Sequence, residues 1–137
     1  RNEEIFDSVF NLKSEEKRKT IKVNSINISE ILNQENLSFD EISLIWIDVQ
    51  GYEPVILKTL KSLIKSGVVV VSEFWPYGML KQGFQQNDIV SIYEDLFDFF
   101  YVLRRSGYVK YPIDNLKYLY EELGLGYPYE NVIFANE

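Results

Sequence analysis

The chain has no cysteine and no histidine among its 137 residues. Without cysteine there is no disulfide, no thiolate nucleophile and no thiolate-bound zinc. Without histidine, a Ser-His-Asp triad and an imidazole-ligated metal are excluded too, and no metal site is expected. Any general acid or base must be Asp, Glu, Lys or Tyr. No stretch approaches the roughly 20 apolar residues a membrane-spanning helix needs. No signal peptide or lipidation motif is visible, so a cytoplasmic location without a membrane span is expected. Cations are the scarcer charge, 14 Lys and Arg against 21 Asp and Glu, for a net charge of -7. A chain of that sign repels phosphate backbones, which argues against a nucleic-acid partner.

What is present suffices for one domain. Apolar residues make up 46% of the sequence, enough for a packed core and too many for a disordered segment. The first twenty residues are mostly polar and end in the charged run Glu15-Glu16-Lys17-Arg18-Lys19, which reads as a surface arm or hairpin. Ile21 and Val23 alternate with polar residues and suggest a short strand. Ser29 can cap a short helix to about Glu35. Residues 43–49, Ser-Leu-Ile-Trp-Ile-Asp-Val, are apolar on both faces, as a strand inside a parallel sheet should be. Gly51 ends that strand, and Pro54 suits the first turn of a helix running to Ser66-Gly67. Val68 to Phe74 is a second buried strand, so these pieces form a βαβ unit.

Residues 75–86 hold Pro76, Gly78 and Gly83 and read as a long loop. Asn87 or Asp88 can cap a helix to about Phe97, after which 99–103 reads as a strand; a helix continuing to Arg105 is the rival. Tyr108 to Tyr111 is a short returning strand, Asp114 caps a helix to Leu123, and 131–135 is a final strand. The expected architecture is α/β: an arm at 1–20, then a mostly parallel sheet with flanking helices over 21–137. In open α/β sheets ligands bind at the carboxyl ends of strands. That rule selects Asp48, Gln50, Gly51, Glu73, Trp75 and Tyr77.

The run Leu44-Ile45-Trp46-Ile47-Asp48-Val49-Gln50-Gly51-Tyr52-Glu53, followed by Val55-Ile56-Leu57-Lys58, resembles the signature of the FkbM methyltransferase family. Glu73 matches the Glu that ends the family's next strand, and Phe74-Trp75-Pro76-Tyr77-Gly78 is similar to the segment that follows it in some members. Residues 21 to about 80 carry the resemblance. It implies the C-terminal half of a Rossmann-like class I methyltransferase fold, with strands in the order fourth, fifth, seventh, sixth and the seventh antiparallel. It also implies S-adenosylmethionine as cofactor of the complete enzyme. The family's cofactor loop, a Gly-rich turn after the first strand, is absent, since the first glycine is Gly51 and Gly124-Leu125-Gly126 follows a helix. The cofactor is therefore not expected to bind this chain alone. Three positions depart from the family pattern: Trp46 replaces Lys, Gln50 replaces Glu and Ser29 replaces Asp. Gln50 keeps hydrogen bonding but has lost charge and basicity.

Two functions follow from different classes. One is part of a methyltransferase acting on a hydroxyl of a sugar, glycolipid or secondary metabolite. The other is a non-catalytic α/β module that binds a partner. For the enzyme, Asp48 and Glu73 are the candidate catalytic groups. Asp48 would orient an acceptor hydroxyl or take its proton, or would cap the turn after Gly51. Glu73, facing Asp48, would have a raised pKa suited to a base, or would make a structural hydrogen bond. Gln50, Tyr77 and Trp75 are candidates for acceptor contact, Trp75 equally for a lid on the core. Glu53 suits its helix N-terminus. Tyrosines 108, 111, 118, 120, 127 and 129 are expected to form a packing layer. The strand at 43–49, apolar and at an edge, is expected to support self-association or to be covered by the arm at 1–20.

Overall fold

The computed structural model describes residues 21–137, so the expected arm at 1–20 lies outside the described residues. Helix α1, Ile28–Glu35, is capped by Asn27 and not by Ser29: the Asn27 side chain accepts the Ser29 N–H at 3.0 Å. A 3-10 turn at Phe39–Glu41 leads into β1, Leu44–Ile47. Helices α2, Glu53–Thr59, and α3, Lys61–Lys65, are the expected helix broken at Leu60. Strand β2 is Val69–Phe74, followed by α4, Pro76–Lys81, and α5, Gln86–Leu96. Strands β3, Phe99–Arg104, and β4, Gly107–Pro112, form a hairpin. A second 3-10 turn, Ile113–Asn115, precedes α6, Leu116–Leu123, and β5, Glu130–Ala135, completes the sheet.

The sheet order is β1-β2-β5-β3-β4. Its first four members are the expected sequence of strands, with the last strand of the chain inserted antiparallel between β2 and β3. The sheet is mixed, however, and not mostly parallel. Only β1 and β2 pair in parallel; β2–β5, β5–β3 and β3–β4 are antiparallel. The physical reason is twofold. Insertion of β5 removes the parallel contact that β2 and β3 would otherwise share. The short turn around Arg105 and Ser106 then forces β4 back along β3, since two adjacent strands joined by a tight turn are antiparallel.

Other expectations also needed correction. Ile21 and Val23 form no strand and are 77% and 78% exposed, having no partner strand among the described residues. The segment expected as a loop at 75–86 contains α4. Pro76 starts it, and Gly78 is tolerated because its neighbours leave no room for a side chain: a Cβ there would strike the Trp75 ring. The rival helix running to Arg105 does not form, because the chain turns extended at Phe97 (φ -127, ψ 156).

The register sorts the strand residues onto two faces. Ile45, Ile47, Val70, Ser72, Phe74, Val132, Phe134, Phe100 and Val102 share one face. That face joins a single cluster with Leu57 and Ile64 of α2 and α3, Met79 of α4, Ile89 and Tyr93 of α5 and Leu116 of α6. Phe134 sits at its centre, with ring centroids 4.7 Å from Tyr93, 5.1 Å from Phe97 and 6.1 Å from Phe100. The other face carries Leu44, Trp46, Val69, Val71, Glu73, Ile133, Tyr101 and Leu103. Strand β1 is thus not buried on both sides. It is a sheet edge among the described residues, and Leu44 and Trp46 are 53% and 64% exposed. The tyrosines do not form a packing layer either. Tyr120 is buried and Tyr111 stacks on Phe100, whereas Tyr108, Tyr118, Tyr127 and Tyr129 are exposed.

Candidate active site

The carboxyl ends of β1 and β2 lie side by side because the strands are parallel and in register. Ile47 pairs with Ser72, so the next residues, Asp48 and Glu73, stand opposite one another on the same face. The chain leaves β1 by a sharp turn made of two consecutive left-handed residues, Gln50 at φ 55 and Gly51 at φ 96. For Gln50 that conformation is strained by roughly 1 kcal/mol or more. Gly51 has no substitute there, since a side chain would collide with the Gly78 carbonyl as well as requiring positive φ. This backbone contact locks the turn after β1 against α4, which begins two residues after β2 ends.

Three carboxylates meet at this point. One oxygen each from Asp48, Glu53 and Glu73 lies within 4.8 Å of the others. Asp48 is exposed, whereas Glu53 and Glu73 are 0% and 5% exposed. Gln50 bridges the outer pair: its Nε2 donates to Asp48 Oδ1 at 2.7 Å and to Glu73 Oε2 at 3.3 Å. Burial pushes the Glu73 carboxyl up to about 7, with the negative charges of Asp48 and then Glu53 adding to the effect. Glu53 is also held above the usual carboxylate range, chiefly by burial, although backbone N–H groups led by that of Val49 oppose the rise.

The expected site residues therefore divide. Asp48, Gln50 and Glu73 are brought together. The turn-capping role considered for Asp48 falls instead to Glu53, whose Oε1 accepts the Val49 N–H at 2.9 Å. Glu53 is more than a helix-terminus charge; it is a fully buried member of the cluster. Its sequence signal was its position four residues after Val49, where a first-turn acidic side chain can reach back to the strand end. Trp75 is tied down by its indole N–H, which donates to the Gly126 carbonyl at 2.9 Å, and its ring covers Gly78, consistent with a lid. Tyr77 is half-buried in an aromatic row, 5.8 Å from Trp75 and 6.3 Å from Tyr127, with the Lys81 ammonium 5.2 Å from its ring. Tyr127 was expected only in a packing layer and Lys81 was not singled out, because the loop that brings Tyr127 here has no periodicity. Tyr93 of α5 belongs to the core. Its hydroxyl is buried without a partner, and burial together with the Glu53 charge raises its pKa.

Chemically, the cluster offers a solvent-facing carboxylate, an amide and a buried carboxyl that changes charge near neutrality. Such a group can accept a proton from a bound hydroxyl. Among the described residues no helix is long and apolar enough to cross a membrane. Compared with known proteins, the chain matches the family model described as Methyltransferase FkbM domain over residues 2–110, which spans every member of the carboxylate cluster. No curated protein and no solved structure matches it.

Proposed function

Because the chain belongs to the FkbM methyltransferase domain family, we propose that it is part of an S-adenosylmethionine-dependent O-methyltransferase of the cytoplasm. Its acceptor would be a hydroxyl on a sugar, glycolipid or secondary metabolite. One observation carries the reading: Asp48 and Glu73 oppose each other at the tips of adjacent parallel strands, the first exposed and the second buried. The described residues do not fit a cofactor cradle. Gly124-Leu125-Gly126 lies between α6 and β5, not after a strand, so the roles proposed for the described residues concern the acceptor.

In that role Asp48 accepts a hydrogen bond from the acceptor hydroxyl and fixes its direction, because methyl transfer needs an in-line approach. Glu73, deprotonated above about pH 7, takes the hydroxyl proton as the oxygen attacks. Gln50 holds the two carboxylates in place, and its amide replaces a charge that would otherwise raise the repulsion further. Trp75 and Tyr77, on the segment whose Gly78 backbone packs against Gly51, supply apolar contact to the acceptor in this reading.

The test is methyl transfer from isotopically labelled cofactor to a panel of hydroxyl acceptors, using the protein that carries this chain. Asp48→Asn and Glu73→Gln should each lower kcat by about 10²–10⁴-fold, the usual range for positioned proton transfer. The wild-type rate should climb with pH through about 7, and that step should vanish in Glu73→Gln. Unchanged rates in both variants would remove the pair from the chemistry.

A further inference from the structure

We propose that Asp48, Gln50, Glu53 and Glu73 form a site for one oxygen-seeking divalent cation of the Mg²⁺, Mn²⁺ or Ca²⁺ class. Three carboxylate oxygens within 4.8 Å of one another are not sufficient alone, since acidic clusters are common. The second observation is Glu53. Its side chain is 0% exposed, its Oε1 is used by the Val49 N–H, and its Oε2 has no hydrogen-bond partner. A buried carboxylate oxygen without a donor is strongly disfavoured, and a bound cation removes that penalty. The ion pairs Lys61–Asp95, Arg104–Glu122, Arg104–Glu130 and Lys110–Glu137 involve none of the cluster's carboxylates.

The spacing and chemistry fit such an ion. Bonds of about 2.4 Å place oxygens on opposite sides of Ca²⁺ roughly 4.8 Å apart, and neighbouring ones closer. With neither His nor Cys anywhere in the chain, every donor is oxygen, which selects hard cations over zinc or copper. Gln50 now places Nε2 between Asp48 and Glu73, where a donor is needed. Half a turn of its amide would present Oε1 at the same place as a neutral fourth ligand. Asp48, being exposed, leaves a path for entry and for water ligands.

This inference does not depend on methyl transfer, and its test uses neither cofactor nor acceptor. Mn²⁺ is titrated into the protein and followed by loss of the free-ion paramagnetic resonance signal, with Ca²⁺ as a competitor. One equivalent should bind saturably, be displaced by Ca²⁺, and raise the thermal midpoint by several degrees. Glu53→Gln and Glu73→Gln should each weaken binding at least tenfold, whereas Asp95→Asn, at a surface ion pair, should not. If Glu53→Gln fails to fold, Asp48→Asn gives the same reading from an exposed position. Absent saturable binding, or binding equal in the cluster variants and Asp95→Asn, would overturn the proposal.

Discussion

The two faces of the sheet are built from similar residues and live in different surroundings. On one, Val70, Phe74, Val132 and Phe134 are 0% exposed beneath helices α2 to α6. On the other, Leu44, Trp46 and Leu103 are 53%, 64% and 55% exposed. Only toward the strand tips does this second face close, and there the polar groups collect. Val71 and Glu73 are 8% and 5% exposed, and Asp48 lies next to Glu73. The covered face holds the fold together. The open face carries the proposed chemistry, because a carboxylate must be part-desolvated to be tuned and part-accessible to act.

The sharpest way to break that comparison is to remove a ring from the covered face. Phe134→Ala empties the centre of the Tyr93–Phe97–Phe100 cluster. The loss in unfolding free energy should be about 3–5 kcal/mol, the usual range for a fully buried aromatic. Urea denaturation followed by circular dichroism would measure it. A loss below about 1 kcal/mol would mean that this face is not the core.

Next in size is an effect that runs opposite to expectation for a buried side chain. Glu73 has its carboxyl raised from 4.5 to about 7. Between those values the folded protein holds a proton that the unfolded chain has released. Stability from this group is therefore complete below about pH 4.5, declines as pH rises, and is gone above about 7. Glu73→Gln carries no such penalty, so the variant should become more stable than the wild type as pH rises, by roughly 2–3 kcal/mol at pH 8. Denaturation at pH 5 and pH 8 tests it, and a difference that does not change with pH would place Glu73 in an ordinary solvated setting.

Much of this was readable in the residues. The βαβ unit and the tips holding Asp48 and Glu73 follow from β-branched runs, a helix-starting Pro54 and the closing Gly67, and the strand expected at 99–103 follows from its aromatic and apolar run. Other features depend on partners distant in sequence and leave no local trace. Insertion of β5 between β2 and β3 decides the mixed sheet, and nothing in Asn131–Ala135 states its neighbours. The helix at Pro76–Lys81 was obscured by Gly78, which reads as a breaker in isolation. Its conformation is set by the approach of Gly51 and the Trp75 ring. Glu53 was legible as a first-turn acid, but its full burial comes from the fold around it. Trp46 shows the converse: an apolar run suggested burial on both faces, yet alternation along a strand cannot reveal whether a second layer covers it.

Trp46 therefore yields the smallest expected change in stability and the most direct view of the open face. It is 64% exposed on β1, and β1 pairs only with β2 among the described residues. An apolar strand with an unpaired edge invites pairing with another chain, and a lysine is a common means of blocking it. We propose that this edge mediates self-association. Trp46→Lys should shift stability by no more than about 0.5 kcal/mol, as for an exposed substitution, while lowering the weight-average mass seen by light scattering at high protein concentration. The physical basis is that the ammonium would have to be desolvated in any strand-to-strand contact through that face, whereas in the monomer it remains in water. A variant that self-associates as strongly as the wild type would move the contact to another surface, and one that loses several kcal/mol would show that Trp46 is covered in solution.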